Sequence, residues 1–273
     1  MILRALLAGL PLGLVACAAC AQQADVLAAL ARARQQCGAS GALQPDARLD
    51  DAARRLSQGE TLERALQGSG YRAQRSFQWS MRGYRSPQAV GEALVPSQCQ
   101  ALGDPALREV GVQRSGNSYW IIAALPFDPP AAAQANGVAG KVLALVNQAR
   151  GQPRRCGGQD FGPARPLALD AQLTQAAAVH AQSMARFSYL EHEGRDGSSP
   201  ADRASRAGYR WRSIGENVAM GQTTPERVVQ EWLRSPEHCA NIMEPRFVEM
   251  GVAFAVNAAS EGGIYWAQTF GRR

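Results

Sequence analysis

The chain has 273 residues, of which 46% are hydrophobic and 19% charged, and a formal net charge of +6. That length suits two compact domains, each large enough for its own hydrophobic core. The charge divides into +1 in residues 1–21, +2 in 22–130 (12 arginines against 10 acids) and +3 in 137–273 (16 Lys and Arg against 13 acids), so neither half carries the clustered cations of a dedicated nucleic-acid surface. The nearest cluster, Arg203, Arg206, Arg210 and Arg212, is expected to be a solvated helix face, with weak attraction to an anionic envelope surface as the alternative.

In chain order, residues 1–21 combine Arg4 with an apolar run from Ala5 to Ala16, broken by Pro11 and ending in small residues. This pattern predicts a secretory signal peptide, because a transmembrane helix needs about 20 apolar residues. No later segment is apolar enough to span a bilayer. Cleavage after Ala21 leaves four cysteines, Cys37, Cys99, Cys156 and Cys239; a lipoprotein-type cut before Cys17 is the alternative and leaves Cys20 unpaired. The expected location is therefore secreted or periplasmic, with lipoprotein anchoring at Cys17 as the minority route.

The second half of the chain is written again, in damaged form, in the first. Pro105, Glu109, Gly111, Val112, Tyr119 and Trp120 precede Pro245, Glu249, Gly251, Val252, Tyr265 and Trp266 in the same order, and Gly70, Tyr71 and Arg72 precede Gly208, Tyr209 and Arg210. Domains are thus expected at 22–130 and 137–273, joined by a proline-containing linker at 128–138. Four cysteines allow three pairings, and the repeat selects Cys37 with Cys99 and Cys156 with Cys239. An oxidising compartment follows. Four buried thiols are the alternative.

In the second half, apolar spacing predicts helices over Gly140 to Arg150 and Asp170 to about Ser188, the latter with His180 among apolar neighbours. Ser199-Pro200, Thr224-Pro225 and Ser235-Pro236 announce three short helices, each with a capping hydroxyl and a proline in the first turn. A hairpin is predicted from Met250 to Val256 and Ile264 to Phe270, joined by a strand over Ile214 to Met220. The expected fold is α+β, helices flanking a small, mainly antiparallel sheet in an α-β-α plan.

All three histidines lie in the second half. Leu56 stands opposite His180, Gln98 opposite His238, and a gap falls around His192; the first half also has no acid between Glu63 and Glu92, where a counterpart of Glu216 belongs. His192, Glu216 and His238 are therefore the candidate polar site, although their spacing is no metal signature. Leu56 is the one apolar replacement visible, which predicts a cleft more dispensable to folding than to function. A buried hydrogen-bond network that only rigidifies the fold is the competing reading.

Leu145-Val-Asn-Gln-Ala-Arg150, His180-Ala, Phe187-Ser-Tyr-Leu before His192, Gly215-Glu-Asn-Val-Ala219, Trp232-Leu-Arg-Ser-Pro-Glu-His238, Asn241-Ile-Met, Phe247-Val-Glu-Met-Gly-Val252 and Tyr265-Trp-Ala-Gln-Thr-Phe270 together resemble the CAP superfamily of cysteine-rich secretory, antigen 5 and pathogenesis-related proteins. The resemblance covers residues 140–271, with a degenerate echo at 26–127, and implies tandem CAP-like α-β-α sandwiches. It also implies a cleft of two histidines and two glutamates that can hold zinc or another divalent metal. His192, Glu216 and His238 match three of the four; Glu231 and Glu237 lie near the fourth position but at other offsets, and His180 becomes a supporting or core residue. The function implied is an exported, extracytoplasmic binding module for lipid, cell-wall or protein ligands. A metal-dependent hydrolase with Glu216 as general base on water is one alternative, and a structural envelope scaffold another.

Overall fold

The computed structural model describes residues 18–273, with side chains from residue 23 onward. The expected signal segment lies mostly outside the described residues. The chain divides into two compact units between Phe127 and Asp128. No helix among the described residues is long and apolar enough to cross a membrane.

The first unit runs α1 (Ala18–Gln36), β1 (Gln44–Pro45), α2 (Ala47–Ser57), α3 (Leu62–Gly68), β2 (Ala73–Arg82), α4 (Pro87–Leu102), β3 (Glu109–Ser115) and β4 (Ser118–Pro126). Its sheet has the order β1-β3-β4-β2, antiparallel apart from the short β1 pairing. Asp46 starts α2 by accepting the amide hydrogens of Arg48 and Leu49, which relieves two of the amides a helix leaves unpaired. A Cys37–Cys99 disulfide ties α4 to the residue after α1.

The second unit runs α5 (Ala135–Arg150), the β5–β6 hairpin (Arg154–Cys156 and Gln159–Phe161), β7 (Ala168–Leu169), α6 (Ala171–Phe187), α7 (Pro200–Arg206), β8 (Ser213–Met220), α8 (Pro225–Arg234), α9 (Pro236–Met243), β9 (Glu249–Val256) and β10 (Ile264–Arg272). Its sheet has the order β7-β9-β10-β8, with β8 and β9 antiparallel to β10. The expected hairpin and its third strand are both present. One expectation needs correcting: the 128–138 linker ends early, because a short 3-10 turn at Ala132–Gln134 leads into α5 at Ala135. The prolines at 129 and 130 halt regular structure only locally, and an alanine-rich stretch resumes it.

β10 is buried from Ile264 to Gly271, as a central strand covered on both faces must be. α6 packs on β9 and β10 and carries α7, while α5, α8 and α9 pack together and against β9 and β8. α6 approaches so closely that a Cβ on Gly251 would lie 2.0 Å from the Thr174 nitrogen; only glycine fits there. In the first unit, a Cβ on Gly111 would lie 2.0 Å from the Leu49 carbonyl carbon. Other internal details recur. The Tyr209 hydroxyl donates to Glu249 at 2.6 Å, as Tyr71 does to Glu109 at 2.6 Å. Arg150, fully buried, donates to the carbonyls of Ile242 and Glu244, as Arg34 does to those of Leu102 and Asp104.

The Ser/Thr-Pro starts behave unequally. Ser199 forms a reciprocal capping box with Asp202 and Thr224 accepts from the Arg227 amide, but Ser235 makes no capping bond. α9 begins directly where α8 ends, so Ser235 closes one helix and opens the next. The Cys156–Cys239 disulfide secures α9 to the β5–β6 hairpin.

Candidate functional site

α6 ends at Ser188, the only described non-glycine residue with a left-handed backbone (φ 54°). That conformation stops the helix and turns the chain into a loop, residues 188–199, which carries His192. Within it, the Gly194 amide donates to the Ser198 carbonyl at 2.9 Å and the Ser198 amide to the Asp196 carboxylate at 3.1 Å. His180 holds the loop from below. Its Nε2 donates to the Glu191 carbonyl at 2.8 Å, and the residue is fully buried. Burial pushes its pKa down, with the nearby Glu216 opposing, so the ring is a neutral tether rather than a charge.

Glu216 is the centre of the site. Its side chain is 1% exposed, and both oxygens are engaged: Oε1 accepts from His192 Nδ1 at 3.0 Å and Oε2 from Arg203 at 2.8 Å. Arg203 also donates to the His192 carbonyl at 2.9 Å and to the Ser198 carbonyl at 2.7 Å. Here the solvated-face expectation for the arginine cluster is overturned for Arg203, whose side chain is 3% exposed. A buried carboxylate is tolerated when a charge and hydrogen bonds compensate it, and Arg203 supplies both. Arg206, Arg210 and Arg212 are exposed.

His238 reaches the site from the other helical layer. Asn241 donates to the Glu216 carbonyl and to the Asn217 side chain, each at 3.0 Å, and Asn217 donates to the His238 carbonyl at 3.2 Å. These bonds fasten α9 to β8 and bring His238 into the electrostatic range of His192, Glu231 and Glu237. Both glutamates near the unfilled fourth position thus act on His238. Among the described residues, no group of three or more His, Cys, Asp or Glu side chains converges as metal ligands would.

His192 and His238 are tuned in opposite directions. The hydrogen bond to Glu216 raises His192 above the ordinary imidazole value, against partial burial. Burial lowers His238, and the charge of His192 lowers it further. His192 therefore contributes stability that is complete below about pH 6.5 and lost as pH rises through its elevated pKa. His238 contributes stability present above about pH 6.5 and lost as pH falls through its depressed pKa. An NMR titration will find His192 protonated at a pH where His238 is neutral, and Glu216→Gln will bring the His192 pKa down. Coincident titrations in the unaltered protein would contradict this electrostatic arrangement.

Three backbone positions of the first unit that match site positions by register or spacing carry apolar residues. Glu216 pairs with Thr269, four residues beyond Tyr265, and Phe77 pairs with Ala123, four residues beyond Tyr119. Ten residues after the caps Asp170 and Asp46 stand His180 and Leu56. The Tyr209 amide bonds the Ala204 carbonyl as the Tyr71 amide bonds that of Leu66, which places buried Ala65 where the second unit has Arg203. The sequence showed only Leu56; Phe77 and Ala65 were hidden by small length differences. These three positions of the first unit carry apolar side chains, two more than the leucine visible in the sequence. Gln98, for its part, accepts from Trp79 Nε1 at 3.2 Å.

The family model of the cysteine-rich secretory protein family, CAP, matches residues 143–270. The second unit carries a CAP domain. A curated relative, YkwD of Bacillus subtilis (strain 168), is 36% identical over 106 residues, 39% of this chain and 39% of its own, so the chain spans about two fifths of that relative's length. Among solved structures, an extracellular protein containing an SCP domain from Bacillus anthracis matches with 19% identity and a TM-score of 0.44, covering 57% of this chain and 53% of its own. A cysteine-rich secretory protein from Staphylococcus aureus matches with 13% identity and a TM-score of 0.39, covering 61% and 57%. The CAP domain includes every residue of the His192, Glu216, Arg203 and His238 cluster.

Proposed function

We propose that the chain is an exported binding protein whose CAP domain engages a lipid, cell-wall or protein ligand outside the cytoplasm through the His192–Glu216–His238 cleft. The observation that carries this reading is His192. Its ring is 53% exposed while Nδ1 is held by a buried carboxylate, so Nε2 is presented in a fixed tautomer to whatever enters. A ring serving only the fold has no need of that exposure. The matching internal details of the two units support reading the first as a degenerate repeat that keeps the frame without the cleft.

For a divalent metal such as zinc the cleft offers only two imidazoles, a weak site, although a ligating imidazole commonly donates its other nitrogen to a carboxylate as His192 does to Glu216. His192 and His238 would hold the ion, Glu216 would orient His192, and Glu231 or Glu237 would add charge from the rim. A metal there supplies a polarising centre for an oxygen-bearing ligand. Glu216 is poorly placed as a general base, because both its oxygens are occupied and its side chain is enclosed. This favours binding over hydrolysis.

Calorimetric titration with zinc near pH 7.5, where more of His192 is neutral than at lower pH, tests the metal reading. One site is expected, absent from a His192→Gln, His238→Gln double variant whose stability in chelator falls by only roughly 1 to 2 kcal/mol. Unchanged zinc affinity in the double variant would reject the assignment.

A further inference from the structure

Beside the cleft, on the outer face of α6, lies a cavity of about 320 Å³ walled by Val179, Ser183, Phe187 and Arg195, with His180 and Arg203 in its lining. A smaller recess of about 170 Å³ shares Val179 and Arg203 with it. Val179 and Phe187 are each 49% exposed, while the other apolar stripe of α6 is buried against the sheet. Two guanidinium groups lie near the Phe187 ring, Arg186 at 5.2 Å and Arg195 at 5.7 Å from its centroid. Neither arginine has a carboxylate partner among the described residues. At the rim, Asp196 is already paired with Arg206 at 2.6 Å, and Arg203 is neutralised by Glu216. Inside, His180 Nδ1 has no hydrogen-bond partner.

We propose that this cavity is a second binding site, separate from the His192–His238 cleft, for a small aromatic carboxylate. Its volume is in the range of small-molecule sites. The ring of such a ligand would bury the exposed faces of Val179 and Phe187, stacking on the latter in an offset or edge-on manner. Its carboxylate would meet the unpaired Arg195 guanidinium in the cavity wall, a planar fork of donors that matches a carboxylate, with the charge of Arg186 close by across Phe187. The site needs both halves of the ligand. A ring alone leaves the arginines unmatched, and a carboxylate alone gains only the weak attraction of exposed charges.

The test is a titration of the full chain with 2-naphthoate, followed by amide NMR shifts, with 2-naphthalenemethanol and acetate as the two halves of the probe. Naphthoate is expected to shift the amides of Val179, Ser183 and residues 194–198 saturably, and the alcohol and acetate to bind at least tenfold more weakly. Arg195→Gln and Phe187→Ala alter exposed side chains, so the fold and its melting temperature should be kept while naphthoate affinity drops at least fivefold. The His192→Gln, His238→Gln variant should bind naphthoate as the unaltered protein does. The proposal is overturned if those amides do not respond, if the alcohol binds as tightly as naphthoate, if Arg195→Gln leaves the affinity unchanged, or if the histidine variant loses binding.

Discussion

Replacing Arg203 by methionine will lower the unfolding free energy of the CAP domain by roughly 3 to 5 kcal/mol, the cost of removing one partner from a buried ion pair. The carboxylate of Glu216 would remain enclosed with His192 as its only charged hydrogen-bond partner, and the carbonyls of His192 and Ser198 would lose the guanidinium donors they now share. The first unit indicates a rescue. Arg203→Ala combined with Glu216→Phe and His180→Leu copies the set Ala65, Phe77 and Leu56, in which nothing charged is buried. Calorimetric melting is expected to show the triple variant recovering much of the loss while zinc binding is abolished. A single Arg203→Met variant that melts with the unaltered protein would show that water already shares the stabilisation of Glu216.

Removal of the Cys156–Cys239 bridge by paired serine substitutions will destabilise the CAP domain by roughly 4 kcal/mol on the chain-entropy account, which favours long closed loops. The closed segment spans 83 positions. The consequence should reach the site, because His238 adjoins Cys239 near the start of α9, where the other tie is the bond of Asn217 to the His238 carbonyl, while Asn241 and Arg150 hold the helix further along. Denaturant unfolding with and without reductant measures the first effect, and the His238 titration the second. A bridge-free variant with unaltered midpoint, or a His238 pKa that does not move toward the ordinary value, would refute the respective claim. The equivalent change at Cys37 and Cys99, which closes 62 positions, should cost a similar amount and leave both histidine titrations unchanged.

Much of this was legible from residue order alone, for definite reasons. Proline after serine or threonine announced α7, α8 and α9, because ring geometry and capping act within one turn. Alternating β-branched and aromatic residues marked β9 and β10. Both disulfides followed from the repeat. Arg203 was misjudged because a charged residue at helical spacing belongs in water unless something buried requires it, and the thing that requires it, Glu216, is 13 positions away on another element. The one trace in the sequence is the alanine at 65. Arg150 and Arg34 escaped notice for the same reason: their partners are main-chain carbonyls, which every residue possesses. That Glu216 orients a histidine was invisible too, since spacing cannot say which way a carboxylate turns.

The loop between α6 and α7 sets a limit on what substitution could build in the first unit. In the CAP domain 12 residues, 188–199, separate the two helices, whereas in the first unit only four, 58–61, lie between α2 and α3. Placing a histidine, an arginine and a glutamate at positions 56, 65 and 77 would build the support for a ring that has no loop to carry it. Point substitution does not lengthen a loop. A single such substitution would bury charge without a partner, so side-chain exchange alone gives the first unit no second cleft.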